Sequence, residues 1–215
     1  MRASFVVFAA FVLGFSPAHA EDTWELRRDR DDIQVYTRAV EGSKHKEVKT
    51  RMTVAAPLNA LVGLVLDTDA CPRWAALCKS SYVAESVSPT EAFVYTYNDL
   101  PWPVTDRDAI GHVHWSMAED GSVTMRADIV ADKLPRTKKV IRLTTGVTSW
   151  TFKPNADGTT EVISHAHLDP GGAVPSWITN MLLVDSPFDT MKNMRELAES
   201  GEYQDTSLDF LTASE

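Results

Sequence analysis

Cysteine is nearly absent: Cys71 and Cys78 are the only two in 215 residues, so at most one disulfide can form. Clusters of lysine or arginine are missing as well, and the formal net charge is −9. That balance argues against nucleic acid as a partner and against an electrostatic hold on anionic lipid, though not against brief hydrophobic contact with a bilayer. There is no internal repeat, no low-complexity tract and no sign of a second domain. Neither a Gly-x-Ser-x-Gly elbow nor a Cys–His pairing signature marks a nucleophile. The apolar run Phe5 to Phe15 falls short of the ~20 residues that span a bilayer.

What is present at the start reads as a leader. Arg2 supplies a positive end, Phe5 to Phe15 an apolar centre, and Ala18-His19-Ala20 a small-x-small cleavage site. Residues 1–20 are therefore expected to be removed, leaving a chain that begins at Glu21 and is one charge unit more negative. Export, with the periplasm as the expected destination, puts the two cysteines in an oxidising compartment. Seven residues of straight helix rise about 10 Å, too far for a disulfide. Pro72 and a nearby change of element make a compact path plausible, and the pair is read either as a disulfide or as two buried thiols.

Along the remaining chain, Thr23 to Asp29 reads as a short helix capped by Thr23 or Asp22. Asp32 to Arg38 and Lys46 to Val54 read as strands. Pro57 opens an apolar helix through Leu66 with Leu58, Leu61, Val62, Leu64 and Val65 at helical spacing. Asp67 to Leu77 reads as a second short helix carrying Trp74. From Ser80 the pattern is β: Tyr82 to Val87, Ala92 to Tyr97, Asp106 to Met117 and Ser122 to Val130, separated by turn chemistry. Such runs of hairpins predict an antiparallel sheet.

The organising stretch is Val140 to Ser200. A hairpin built from Val140 to Phe152 and Thr160 to Leu168 hands the chain, through Asp169-Pro170-Gly171-Gly172, to a long amphipathic helix starting near Pro175. Trp177, Met181, Val184, Phe188, Met191 and Met194 fall on one stripe of that helix. Ser186-Pro187 predicts a kink or break within it. The tail from residue 201 lacks a sustained apolar face and is expected to be loose.

With these elements placed, the sequence resembles the START lipid-transfer family of the helix-grip superfamily. Trp24-x-Leu26 followed by Ile33-x-Val35-Tyr36 is similar to the family's opening. Arg107-Asp108 resembles its Arg-Asp-aromatic segment, with Ala109 in place of the aromatic, and Lys139-Val140-Ile141-Arg142 its Val-x-Arg strand. Most specific is Asp169-Pro170-Gly171-Gly172-x-x-Pro175-x-Trp177-x-x-Asn180, which resembles the lead-in to the family's C-terminal helix. The likeness spans Thr23 to Ser200.

The resemblance implies an α+β helix-grip fold over residues 21–200. A curved antiparallel sheet would wrap around the C-terminal helix and enclose a hydrophobic tunnel for one lipid-sized molecule. It further implies a carrier or sensor, usually without catalysis. No cofactor is expected; the protein is expected to act as a monomer, with residues 201–215 as a flexible tail. The rival readings are a cyclase, aromatase or hydrolase working in the same cavity, which needs an acid–base pair inside it, and a protein-binding module with a filled cavity.

The ligand-binding set expected on this basis is Tyr95, Tyr97, Trp102, Gly111, Val113, Trp115, Trp177, Met181, Val184, Phe188 and Met191. Period-two geometry sends Ala109, Gly111, Val113, Trp115 and Met117 to the concave side of their strand. Val113 stands where START relatives with a buried cavity arginine place that arginine, leaving a family-type ion pair to a ligand head group without its cation. Trp102, on the stiff Leu100-Pro101-Trp102-Pro103 loop, has three open readings: membrane contact, ligand lid, or packing.

Two i, i+2 histidine pairs, His112/His114 and His165/His167, each place both imidazoles on one strand face. Zinc needs three or four converging ligands, and two strands separate the pairs in the expected order. They are therefore read as solvated outer-face histidines, with no metal expected.

Overall fold

The computed structural model describes residues 23–211; the expected leader, residues 1–20, lies outside them. The chain begins with β1 (Glu25–Arg30), β2 (Ile33–Arg38) and β3 (Glu47–Val54), continues through α1 (Leu58–Leu66), a 3-10 turn (Thr68–Ala70) and α2 (Cys71–Trp74), and enters β4 (Cys78–Ser88). Then follow β5 (Glu91–Asn98), β6 (Arg107–Met117), β7 (Val123–Ile129), β8 (Ile141–Arg142), β9 (Gly146–Pro154) and β10 (Thr160–Leu168). The closing helix comprises α3 (Ser176–Asn180), a π-helical segment (Met181–Asp185) and α4 (Ser186–Glu199).

The ten strands form one open, curved sheet in the order β1-β2-β3-β10-β9-β7-β6-β5-β4, antiparallel throughout except that β8 pairs parallel with β6. This is the expected α+β architecture. Across its concave face the register aligns apolar side chains in rows. Ile33, Met52, Val162, Phe152 and Val123 stand level across five strands. α4 lays Phe188, Met191 and Met194 on this core, where all three are buried, and it packs chiefly on β2, β3, α1 and α2.

Three local expectations change. Residues 25–30 are a strand, not a helix. Asp31 and Asp32 both take left-handed φ, 54° and 56°, giving the two-residue hairpin that aspartate tolerates. Arg28 and Arg30 then stack over the Phe188 ring at 4.9 and 5.1 Å, and Arg28 pairs with Asp185 at 2.6 Å. Ladder and helix contacts outweigh a modest local helix preference.

The closing helix does not break at Pro187. Proline lacks an N–H and crowds the carbonyl four residues back, and the turn immediately ahead widens to π geometry over Met181–Asp185. Nor is the tail loose as far as residue 211. Tyr203 donates to Asp67 at 2.8 Å, Arg73 forks onto Glu202 at 2.6 Å, Leu211 is buried, and Phe210 meets Trp115 edge-on at 6.1 Å.

Candidate functional site

β4 and α2 are joined covalently at their start: Cys71 and Cys78 form a disulfide with Cα atoms 5.9 Å apart. α2 ends after one turn, and Ala75 is extended, which folds the chain back far enough for the sulfurs to meet. The bridge fixes Trp74 on the concave side, where its ring meets Trp150 edge-on at 5.6 Å.

Beside the α4 core, and sharing Val65, Trp115 and Trp150 with it, the concave face of β5, β6, β7 and β9 carries a second apolar cluster. Val113, Met125 and Ala127 are its buried centre, and Val65, Val94, Trp115 and Trp150 pack around it only half-buried. The register explains the grouping: Val113 stands opposite Ala127 and Ala92, and Trp115 opposite Met125, itself opposite Trp150. Gly111 keeps this wall flat, since a Cβ there would lie 3.2 Å from that of Ala127. In the strands from β2 to β4, among the described residues, Arg107 alone is ionisable on this face, and its guanidinium is spent on backbone carbonyls. What the surface can do chemically is exclude water from an apolar guest.

Arg107 builds one end of the sheet. It donates to the carbonyls of Pro170 (3.1 Å), Gly171 (3.2 Å) and Thr105, clamping the β5–β6 connection to the turn before α3. Gly171 and Gly172 take φ 67° and 64°, and a Cβ on Gly171 would come 2.9 Å from Ile141, so the turn requires glycine. Asp106 organises the neighbouring loop. Its carboxylate accepts from the Leu100 N–H at 3.0 Å and from the Tyr97 hydroxyl. That hydrogen bond to Asp106 pushes the phenol up to about 12 and, with the backbone bond, holds Asp106 below the usual carboxylate range. Leu100 is buried beneath the loop, while Trp102 projects with 91% of its surface exposed. Trp177, at the start of the clamped helix, is 50% exposed. Of the three readings for Trp102, neither an inward lid nor packing is the conformation seen.

The expected ligand-binding residues thus separate into groups. Gly111, Val113 and Trp115 share the concave wall. Tyr95 and Tyr97 do not: they stand opposite Ile110 and Asp108, which places them on the outer face, because the pleat alternates sides. Val184, Phe188 and Met191 are buried, the last two packed into the main core because α4 lies flat on β2 and β3. Met181 is half-buried in the π segment. Trp177 points outward and its neighbour Ile178 is the buried residue; consecutive helical positions lie ~100° apart, so both cannot face inward. Met125, Trp150, Val94 and Val65 were missed; the alternation of β7 and β9 was the available signal for the first two, while Val94 lies on β5 and Val65 on α1.

Tyr95 belongs instead to a buried polar network on the outer face. Asp108 receives a two-pronged hydrogen bond from Arg142, 2.7 and 2.8 Å, with side chains 0% and 1% exposed. Tyr95 donates to the same carboxylate at 3.2 Å. Arg142 also donates to the carbonyls of Ala131, Leu134 and Pro135, fastening the 131–140 connection over the sheet. Burial by itself would raise the Asp108 carboxyl; the bonds from Arg142, Thr137 and Tyr95 outweigh it and hold the group below the usual carboxylate range.

A curved antiparallel sheet closed by a C-terminal helix, with an apolar concave wall, defines a helix-grip protein. Among such folds, the START domain model matches residues 16–201, and the chain belongs to the START domain family. It is 32% identical to an uncharacterised protein of Pseudomonas aeruginosa, covering 90% of this chain and 95% of that protein. The crystal structure of a STAR-related lipid transfer protein from Xanthomonas axonopodis superposes with a TM-score of 0.76 at 34% identity, over 83% of this chain and 99% of that one. Human STARD10 superposes with a TM-score of 0.73 at 21% identity, over 85% and 75% respectively, a likeness of fold.

Proposed function

We propose that this protein is an exported, monomeric lipid carrier that holds one lipid-sized molecule in a tunnel between the concave wall and the closing helix. The carrying observation is the half-buried cluster around Val113, Trp115 and Trp150, an apolar surface that α4, seated chiefly on β2 and β3, does not seal. Burying an acyl chain or ring system there supplies affinity at about 25 cal/mol per Å² of apolar area. The family and the lipid transfer protein from Xanthomonas support the reading. So does the lack of an acid–base pair on the concave strands among the described residues, which favours a carrier over an enzyme.

Loading occurs at the Trp102–Trp177 end. Both indoles are suited to the membrane interface, and Arg107 ties their two segments into one platform. Among the described residues no helix is long and apolar enough to cross a membrane; the contact in this reading is peripheral and transient. Export follows from the leader read in residues 1–20.

The decisive experiment is native mass spectrometry of the protein purified from its own host's export compartment, before and after organic extraction. One stoichiometric lipid that leaves on extraction is the expected result and names the ligand class. A clean apo mass, with no uptake from a total lipid extract, would sink the carrier reading.

A further inference from the structure

We propose that Glu91, His112 and His114 form a binding site for a borderline divalent transition-metal ion, Zn²⁺ foremost, on the outer face of the β5–β6 hairpin. His112 and His114 sit two residues apart in β6, so both imidazoles leave the same side, their ring centroids 4.2 Å apart. The register sets Glu91 of β5 opposite His114, and Glu91 reaches diagonally to His112, 2.7 Å from its Nε2. One donor atom from each residue lies within 4.8 Å of the other two.

Ligands of a tetrahedral zinc ion, each at 2.0–2.1 Å, stand roughly 3.3 Å apart. Small side-chain rotations close the difference, because Glu91 and His112 are only half-buried and His114 is exposed. Phe93 stacks flat on the His112 ring, 4.4 Å away and tilted by 7°, fixing its plane. Two imidazoles and one carboxylate are a donor set suited to zinc and its neighbours, and they leave a fourth position for water. The ion takes the place of the proton shared between His112 Nε2 and Glu91.

The surrounding charges cancel in pairs. On β7, Arg126 stands opposite His114 and Asp128 opposite His112, and the two are locked together by bonds of 2.8 and 2.6 Å. Lys133, from the 131–140 connection, lies over Phe93 at 3.9 Å and pairs with Glu85 of β4 at 2.6 Å. Glu91 is left as the unbalanced charge facing the histidines. The second pair, His165/His167, has the same spacing but splits its partners. His165 faces Glu47 and Trp24, and His167 faces Ser43 and the His45 carbonyl. Two strands do separate the pairs; the third ligand comes from the adjacent hairpin strand instead.

The test is calorimetric titration of the untagged, metal-stripped protein with Zn²⁺, paired with electron paramagnetic resonance using Cu²⁺ as the spectroscopic probe. One saturable equivalent is expected, with two-nitrogen coordination of Cu²⁺. His112→Ala and His114→Ala should each weaken binding at least about tenfold and reduce the coordination to one nitrogen. Glu91→Gln should weaken it while keeping both nitrogens, and His165→Ala with His167→Ala should leave it unchanged. Thermal melts establish that each variant is folded. The proposal is overturned by an absence of saturable uptake, by binding that survives in the His112→Ala/His114→Ala double variant, or by binding that follows His165 and His167. It does not depend on what occupies the concave face.

Discussion

Asp108 and Arg142 show how much rests on single side chains. The two come from separate sequence segments, yet β8 pairs parallel with β6 so that they face each other directly. Replacing one partner leaves the other charged and buried. Asp108→Asn is expected to destabilise the fold by about 3–5 kcal/mol, measurable by urea unfolding at neutral pH. The sign of the pH effect follows from the depressed carboxyl. Its contribution is complete above the unfolded value near ~3.9 and fades as pH falls through the lower folded value. The wild type should therefore lose stability on acidification more steeply than Asp108→Asn; parallel acid-unfolding profiles would contradict this assignment.

At the scale of elements, the tail and α1 depend on one missing Cβ. Gly63 lies mid-helix, where alanine would ordinarily add about 1 kcal/mol. Here the new Cβ would approach the Thr206 Cβ to 2.8 Å, and overpacking of this kind costs roughly 1–3 kcal/mol. Thr206 Oγ1 already bonds the Tyr203 carbonyl at 3.0 Å, so the tail cannot yield by a small rotation. Gly63→Ala is expected to release residues 202–211, read as faster proteolytic clipping after about residue 200, without melting the sheet. Unchanged clipping would mean the tail is held elsewhere. The π segment belongs to the same scale: it lets Pro187 sit inside a closing helix that continues uninterrupted.

For the whole molecule, the arrangement puts an apolar wall inside and two exposed tryptophans at one end. Trp102→Ala combined with Trp177→Ala should slow lipid transfer between vesicles several-fold while leaving the stoichiometry of bound lipid unchanged. Loss of bound lipid in this variant would instead make the pair part of the ligand site. The metal site occupies the opposite face of β5 and β6, so lipid occupancy and zinc affinity should be separately titratable.

Much of this was legible in the sequence. Period-two alternation fixed Val113 and Trp115 on one side of β6, because the pleat leaves no other choice. Helical spacing marked Phe188, Met191 and Met194, and Asp169 to Asn180 carried the family. Pairing partners were not legible. A residue's face is local, but its neighbours are set by register, which joins strands distant in sequence. That is why Tyr95 proved to be an anchor of the Asp108–Arg142 network, and why Glu91 reached the histidines. It is also why residues 25–30, locally helix-like, became the edge strand whose arginines cover Phe188. The sequence alone determined most of the elements and the family; tertiary packing decided which faces meet, the side on which Tyr95, Tyr97 and Trp177 stand and the strand state of residues 25–30, because burial and long-range hydrogen bonding outweigh local preference wherever the two disagree.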